Sequence, residues 1–155
     1  MTDWEITRPG SWLEGSWLEA FADFLRRSGD RQNGRTPWAL VEDWESLVSE
    51  AEAGYQWTVY EFDNELGVRD LLAKALADER LGRFAEMASV RQRVEAADTR
   101  LDRAFLRDQQ IRVADNRWWR RGVLAVGGEG YADDVERLYG IVVTRAPAGD
   151  GSPIG

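Results

Sequence analysis

The stretch RLGRFAEMASVRQRVEAADTRLDRAFLRDQQIR, residues 80–112, decides the fold class of this chain. Met87, Val94 and Leu101 lie seven residues apart, and other apolar side chains fall three or four positions from them. This spacing is typical of the buried face of an amphipathic helix. The pattern therefore predicts one long helix over 80–112, about three times the mean helix length, and it leaves room for a kink near Gly82 or a break near Ala96 and Ala97.

Helical spacing and helix-end signals recur on both sides of this stretch. Ser11 and Glu14 have the spacing of a capping box, Thr36 and Pro37 suit the start of a second helix, and Gly54 suits its end. The predicted helices cover residues 11–27, 37–53, 61–76, 80–112 and 131–139. These segments predict a mainly α fold, an irregular bundle of four to five helices.

Three short segments have the composition of strands: residues 55–60, 123–126 and 141–143. The first of them suits either an extended segment or the start of a helix. We expect at most a small β element. The length of 155 residues predicts one domain over 1–145, followed by a flexible tail over 146–155 that contains Pro and Gly.

The composition excludes several classes of chemistry. The chain has eight Trp but no Cys and no His, which are the side chains most used for metal binding, nucleophilic catalysis and proton transfer near neutral pH. We therefore expect a metal-independent protein with no cofactor, no metal and no catalytic residue. The predominance of Arg over a single Lys, Lys74, is typical of a bacterial genome rich in G and C.

Location follows from the same composition. The first residues are polar and acidic, unlike a secretory signal, and no apolar run approaches the roughly 18–20 residues that span a bilayer. The lack of Cys fits a reducing compartment. We expect a cytoplasmic protein that does not contact a membrane.

Charge is distributed unevenly along the chain. Residues 1–79 carry a net charge of −10, residues 80–121 carry +5 and residues 122–155 carry −3, for a total of −8. Either the basic segment neutralises the acidic half inside the fold, or the acidic half forms a face for a basic partner. Nucleic acid is disfavoured because phosphate binding requires a net basic surface.

A protein-binding face is the leading functional interpretation. Trp and Arg are enriched at binding hot spots, and two adjacent Trp cannot point the same way, so one is expected in the core and the other at the surface. The candidate partner-binding residues are Glu42, Asp43, Glu45, Glu61, Asp63, Trp118, Trp119 and Arg121. We predict a non-enzymatic protein-interaction module, most concretely an immunity-type inhibitor of a basic bacterial toxin.

The alternative is a small-molecule-binding protein or an enzyme that uses only carboxylates and Arg. Glu61, Asp63, Glu65 and Arg69 fall within ten residues of one another. Such carboxylates can act as acid and base only where burial separates their pKa values.

Two segments also resemble other proteins. Residues 60–72 combine an aromatic–acidic run with an Asn, a Leu and then Arg-Asp-Leu-Leu, while residues 118–129 begin with Trp-Trp-Arg-Arg and end with Gly-Glu. In these features the chain resembles small uncharacterised bacterial proteins. The resemblance implies no activity.

Overall fold

Helices make up most of the chain in the computed structural model, which describes residues 9–29 and 34–147, with side chains from residue 16 onwards. In chain order, the elements are α1 (Pro9–Ser28), α2 (Pro37–Ala53), α3 (Val59–Glu65), α4 (Gly67–Ala77), a 3₁₀ turn (Leu81–Arg83), α5 (Glu86–Ala104), β1 (Phe105–Gln110), a second 3₁₀ turn (Trp118–Arg120), β2 (Gly122–Leu124), β3 (Val126–Gly127), α6 (Glu129–Tyr139) and β4 (Thr144–Arg145). Hydrogen bonds through Leu66 join α3 to α4 as one broken helix. The described residues thus form five helical units, and the mainly α prediction is confirmed.

Local signals fix the ends of α2. The Thr36 hydroxyl accepts a hydrogen bond from the backbone N–H of Ala39 at 3.1 Å, and Pro37 occupies the first turn. Gly54 ends the helix at a φ of 103°, which a residue with a Cβ rarely adopts. At the N-terminus, α1 begins at Pro9, two residues before the predicted cap at Ser11, whose side chain lies outside the described residues.

The helix predicted over 80–112 is interrupted near Gly82, where the sequence allowed a kink, and its predicted end at residue 112 is wrong. A 3₁₀ turn precedes α5, and the Asp78 carboxylate accepts hydrogen bonds from the N–H groups of Arg80 and Leu81 there. At the other end, the helical positions after Ala104 and Phe105 are the polar Asp108 and Gln109, so the apolar stripe stops near Phe105. The chain continues as β1, which pairs antiparallel with β2.

The prediction of a small β element is confirmed, but the strands are placed differently from the three strand-like segments. Within residues 55–60, only Tyr55 forms a β-bridge, to Gly127, and Thr58 caps α3. The prediction at 123–126 is close to β2 and β3. The one at 141–143 is wrong, because the strand that pairs parallel with β3 is Thr144–Arg145. Most of the predicted tail, residues 148–155, lies outside the described residues.

Packing of α2 against α5 forms the centre of the bundle. Glu45 pairs with Arg93 and Glu52 pairs with Arg100, so both partners advance by seven residues and the two helices run in the same direction. Between them and around them lie the large buried side chains. These include Trp17, Phe21, Leu40, Trp44, Leu72, Val90, Val94 and Leu101.

Candidate functional site

Internal ion pairs cover the acidic face of α2. Arg93 Nε donates to Glu45 Oε2 at 2.9 Å, and Arg35 Nη2 lies 2.7 Å from Asp43 Oδ2. Glu42 is exposed on the same helix. For Glu45 and for Glu52, seven residues further along the helix, the structure thus supports the interpretation in which the basic segment, residues 80–121, neutralises the acidic half.

A second set of pairs holds α4 to the core. Arg69, only 7% exposed, donates from Nε and Nη2 to the two carboxylate oxygens of Asp98 at 2.9 and 2.8 Å. Trp44 Nε1 donates to the same carboxylate at 3.1 Å. The guanidinium lies 4.2 Å from the centre of the Trp119 ring, a cation–π arrangement. Arg69 therefore has a structural role between α4, α5 and the second 3₁₀ turn.

The same 3₁₀ turn binds the neighbouring carboxylate of α4. Trp119 Nε1 donates to Asp70 Oδ1 at 2.9 Å, and Arg120 Nη2 donates to Asp70 Oδ2 at 2.7 Å. Burial raises the pKa of Asp70, but the hydrogen bonds from Arg120 and Trp119 outweigh burial, and the pKa is lowered overall. Trp119 is buried, as expected for one member of the Trp pair, and Trp118 remains partly exposed.

The four residues of the alternative acid–base site do not converge. Glu61 forms a capping box with Thr58, and Asp63 pairs with Arg112. Glu65 accepts a 2.7 Å hydrogen bond from the Tyr55 hydroxyl, whose pKa is raised by burial and by that carboxylate. The cavity that Asp63 helps to line holds about 10 Å³, roughly enough for one water molecule.

An exposed surface that the sequence did not single out lies at the start of α3. Trp57 is 56% exposed and Tyr60 is 58% exposed, whereas most large aromatic side chains among the described residues are buried. Helix α6 adjoins them: the Asp134 carboxylate accepts a hydrogen bond from Val59 N–H at 3.1 Å, and Gly130 in the first turn lies beside the Trp57 carbonyl.

Carboxylates of α3 and α6 lie near these two residues. Glu61 and Glu129 are exposed, and Arg137 contacts both Asp134 and Tyr60. We call this surface the aromatic–acidic patch, and we define it by Trp57, Tyr60, Glu61, Glu129, Asp134 and Arg137. Three carboxylates against one guanidinium give it a net negative charge. Of the residues predicted to bind a partner, Glu61 alone belongs to it.

A groove of different character lies beside the β1–β2 ribbon. It has a volume of about 190 Å³. We call it the cationic groove, and its defining residues are Asp102, Phe105, Leu106, Arg107, Trp118 and Arg121. It brings Trp118 and Arg121, two predicted partner-binding residues, together with Arg107 from β1, which the sequence did not single out.

Neither a metal centre nor a membrane span is found in the part of the chain that the structure describes. No group of three or more Asp, Glu, His or Cys residues is placed there to hold an ion. None of the helices described is both long and apolar enough to cross a bilayer.

Comparison with known proteins returned no match, whether to protein-family models, to curated proteins or to solved structures. The class of protein defined by the fold and the surfaces is therefore a mainly helical domain with a small β element, which resembles no family of known function.

Proposed function

We propose that this protein is a non-enzymatic interaction module that binds a basic protein partner through the aromatic–acidic patch, and that it acts there as an immunity-type inhibitor of a bacterial toxin. The observation that carries the proposal is the exposure of Trp57 and Tyr60, more than half of each side chain, next to Glu61 and Glu129. Aromatic side chains with a surrounding charged rim are typical of binding hot spots.

Charge complementarity supports a basic partner. Asp43 and Glu45 on α2 already pair with Arg35 and Arg93, whereas no ion pair of Glu61 or Glu129 is found in the described structure. The patch is therefore a better docking surface than the α2 face. Carboxylates at its rim would accelerate encounter with a basic protein, and the two rings would slow dissociation.

Hydrogen bonds within the chain already hold the other carboxylates, which supports binding over catalysis. Asp63, Glu65 and Asp70 each accept hydrogen bonds from side chains of the same chain. The space beside Asp63 is too small for a substrate. These contacts favour the binding interpretation over the alternative enzyme site.

The test combines capture with two pairs of substitutions. The wild type, Trp57→Ala/Tyr60→Ala and the control Val113→Ala/Val142→Ala would each be immobilised and exposed to native lysate from the source cells. Val113 and Val142 are each 73% exposed and lie outside the patch. We expect a basic protein to bind the wild type and the control at one-to-one stoichiometry, and to be lost from the aromatic variant.

Kinetics with that purified partner test the mechanism. Glu61→Lys should slow association with less effect on dissociation, whereas Tyr60→Ala should speed dissociation. Removal of a hot-spot aromatic costs about 2 kcal/mol or more. The proposal is wrong if every captured protein binds the aromatic variant as tightly as the wild type, or if the partner keeps its own activity in the complex.

A further inference from the structure

We infer that the cationic groove is a second binding site, which takes an acidic peptide segment through a carboxylate side chain held between Arg107 and Arg121. Both residues line the same cavity. Neither forms an ion pair with a carboxylate among the described residues, in contrast to Arg112, Arg117 and Arg120 nearby.

The groove is organised before any ligand binds. Arg121 Nη1 donates to the backbone carbonyl of Asp115 at 2.7 Å, and the Arg121 carbonyl accepts a hydrogen bond from Ile111 N–H at 2.9 Å. Both the backbone and the side chain of this residue are thereby fixed. A guanidinium held in place loses little conformational freedom on binding a carboxylate.

Aromatic side chains form the apolar wall. Trp118 meets Phe105 edge-on at 6.4 Å between ring centres and meets Trp119 in the same way at 5.8 Å. Phe105 packs directly over Gly122, where any Cβ would lie 2.1 Å from the ring. Since Trp118 is only partly buried, it offers a surface for the aliphatic or aromatic side chain next to the bound carboxylate.

Size and charge select the occupant. The groove volume of about 190 Å³ is below the roughly 300–1,000 Å³ of pockets that enclose a drug-sized ligand, so it suits one or two side chains of a peptide. Arg pairs with carboxylates in a forked geometry. Asp102, the one carboxylate in the defining set, lies in the lining and disfavours a ligand with a second negative charge close to the first.

The experiment uses the full chain and two synthetic peptides, acetyl-Glu-Phe-Gln-amide and acetyl-Gln-Phe-Gln-amide, measured by calorimetry and by the NMR signal of the Trp118 indole N–H. We expect the glutamate peptide to bind and to shift that signal, and the glutamine peptide to bind at least about tenfold more weakly, the ratio that corresponds to 1.4 kcal/mol. Arg107→Ala and Arg121→Ala should each weaken binding about tenfold.

Matched controls show whether the peptide binds in this groove or elsewhere on the surface. Arg83→Ala removes an exposed Arg outside the groove and should leave binding unchanged, as should Trp57→Ala/Tyr60→Ala in the aromatic–acidic patch. Arg107 has an exposed side chain, so its variant tests the site even if loss of Arg121 disturbs the fold. The inference would be overturned if both peptides bound equally well, or if Arg107→Ala left binding unaffected. It would also be overturned if inorganic phosphate or single-stranded DNA bound more tightly at the same indole.

Discussion

Loss of the Asp98 carboxylate should destabilise the fold more than loss of any exposed ion-pair partner. In Asp98→Ala, the Arg69 guanidinium loses two hydrogen bonds and the Trp44 indole loses its acceptor. The side chains of Arg69 and Asp98 are only 9% and 14% exposed, so water replaces these bonds poorly. Removing one partner of a buried pair costs about 3–5 kcal/mol.

The control is the pair of Arg93 and Glu45, in which bond lengths are similar but the side chains are 41% and 30% exposed. Glu45→Ala should cost about 1 kcal/mol or less. Urea unfolding followed by circular dichroism measures both values. For a domain of this size, each kcal/mol shifts Tm by about 2–4 °C, so the two variants should differ by several degrees.

A hydrophobic replacement tests the cause. Arg69→Met with Asp98→Leu removes both charges, and buried pairs replaced in this way are often neutral in stability. The double variant should therefore be more stable than Asp98→Ala. If Asp98→Ala were no more destabilising than Glu45→Ala, burial would not set the strength of these pairs and the reasoning would be refuted.

Two further predictions concern single positions. Gly122→Ala should destabilise the protein by about 1–3 kcal/mol, since the new Cβ would meet the Phe105 ring. The control is Gly82→Ala, where the space around the new Cβ is open. In the same urea titration this variant should be neutral or slightly stabilising. The lowered pKa of Asp70 stabilises the fold above the unfolded-state pKa, about 3.9, and this contribution is lost as the pH falls through the folded-state value. As the pH falls below about 5, the unfolding free energy should therefore decrease more steeply for the wild type than for Asp70→Asn. Parallel curves for the two proteins would show that Asp70 does not contribute to acid unfolding.

Local sequence signals predicted the helix ends well where the residues at the end determine it themselves. Thr36 and Pro37 start α2, since the Thr36 side chain accepts a backbone hydrogen bond and Pro37 suits the first turn. Gly54 ends the helix because it adopts a positive φ. The end of α5 depends instead on β1 pairing with β2, from Phe105 to Leu124. The apolar stripe stops near Phe105, but nothing in residues 80–112 shows that the chain then pairs with a distant strand, so the prediction extended the helix too far.

The candidate surfaces were predicted less well, for a related reason. The heptad spacing of Glu45 and Glu52 is visible in the sequence, as is the equal spacing of Arg93 and Arg100. Only the parallel packing of α2 and α5 shows that the two spacings match. Trp57 lies in a strand-like segment, and its exposure cannot be read from composition.

The charges that remain after internal pairing, more than the net charge of −8, define what each surface can bind. Glu61 and Glu129 add to the overall negative potential, so a basic partner is attracted to the patch from beyond contact distance, and added salt should slow its association. Arg107 and Arg121 carry positive charge within that negative potential. Screening limits the range of their attraction to about 8–10 Å at physiological salt. An acidic peptide therefore gains its attraction only within the groove, where salt should act mainly on its dissociation.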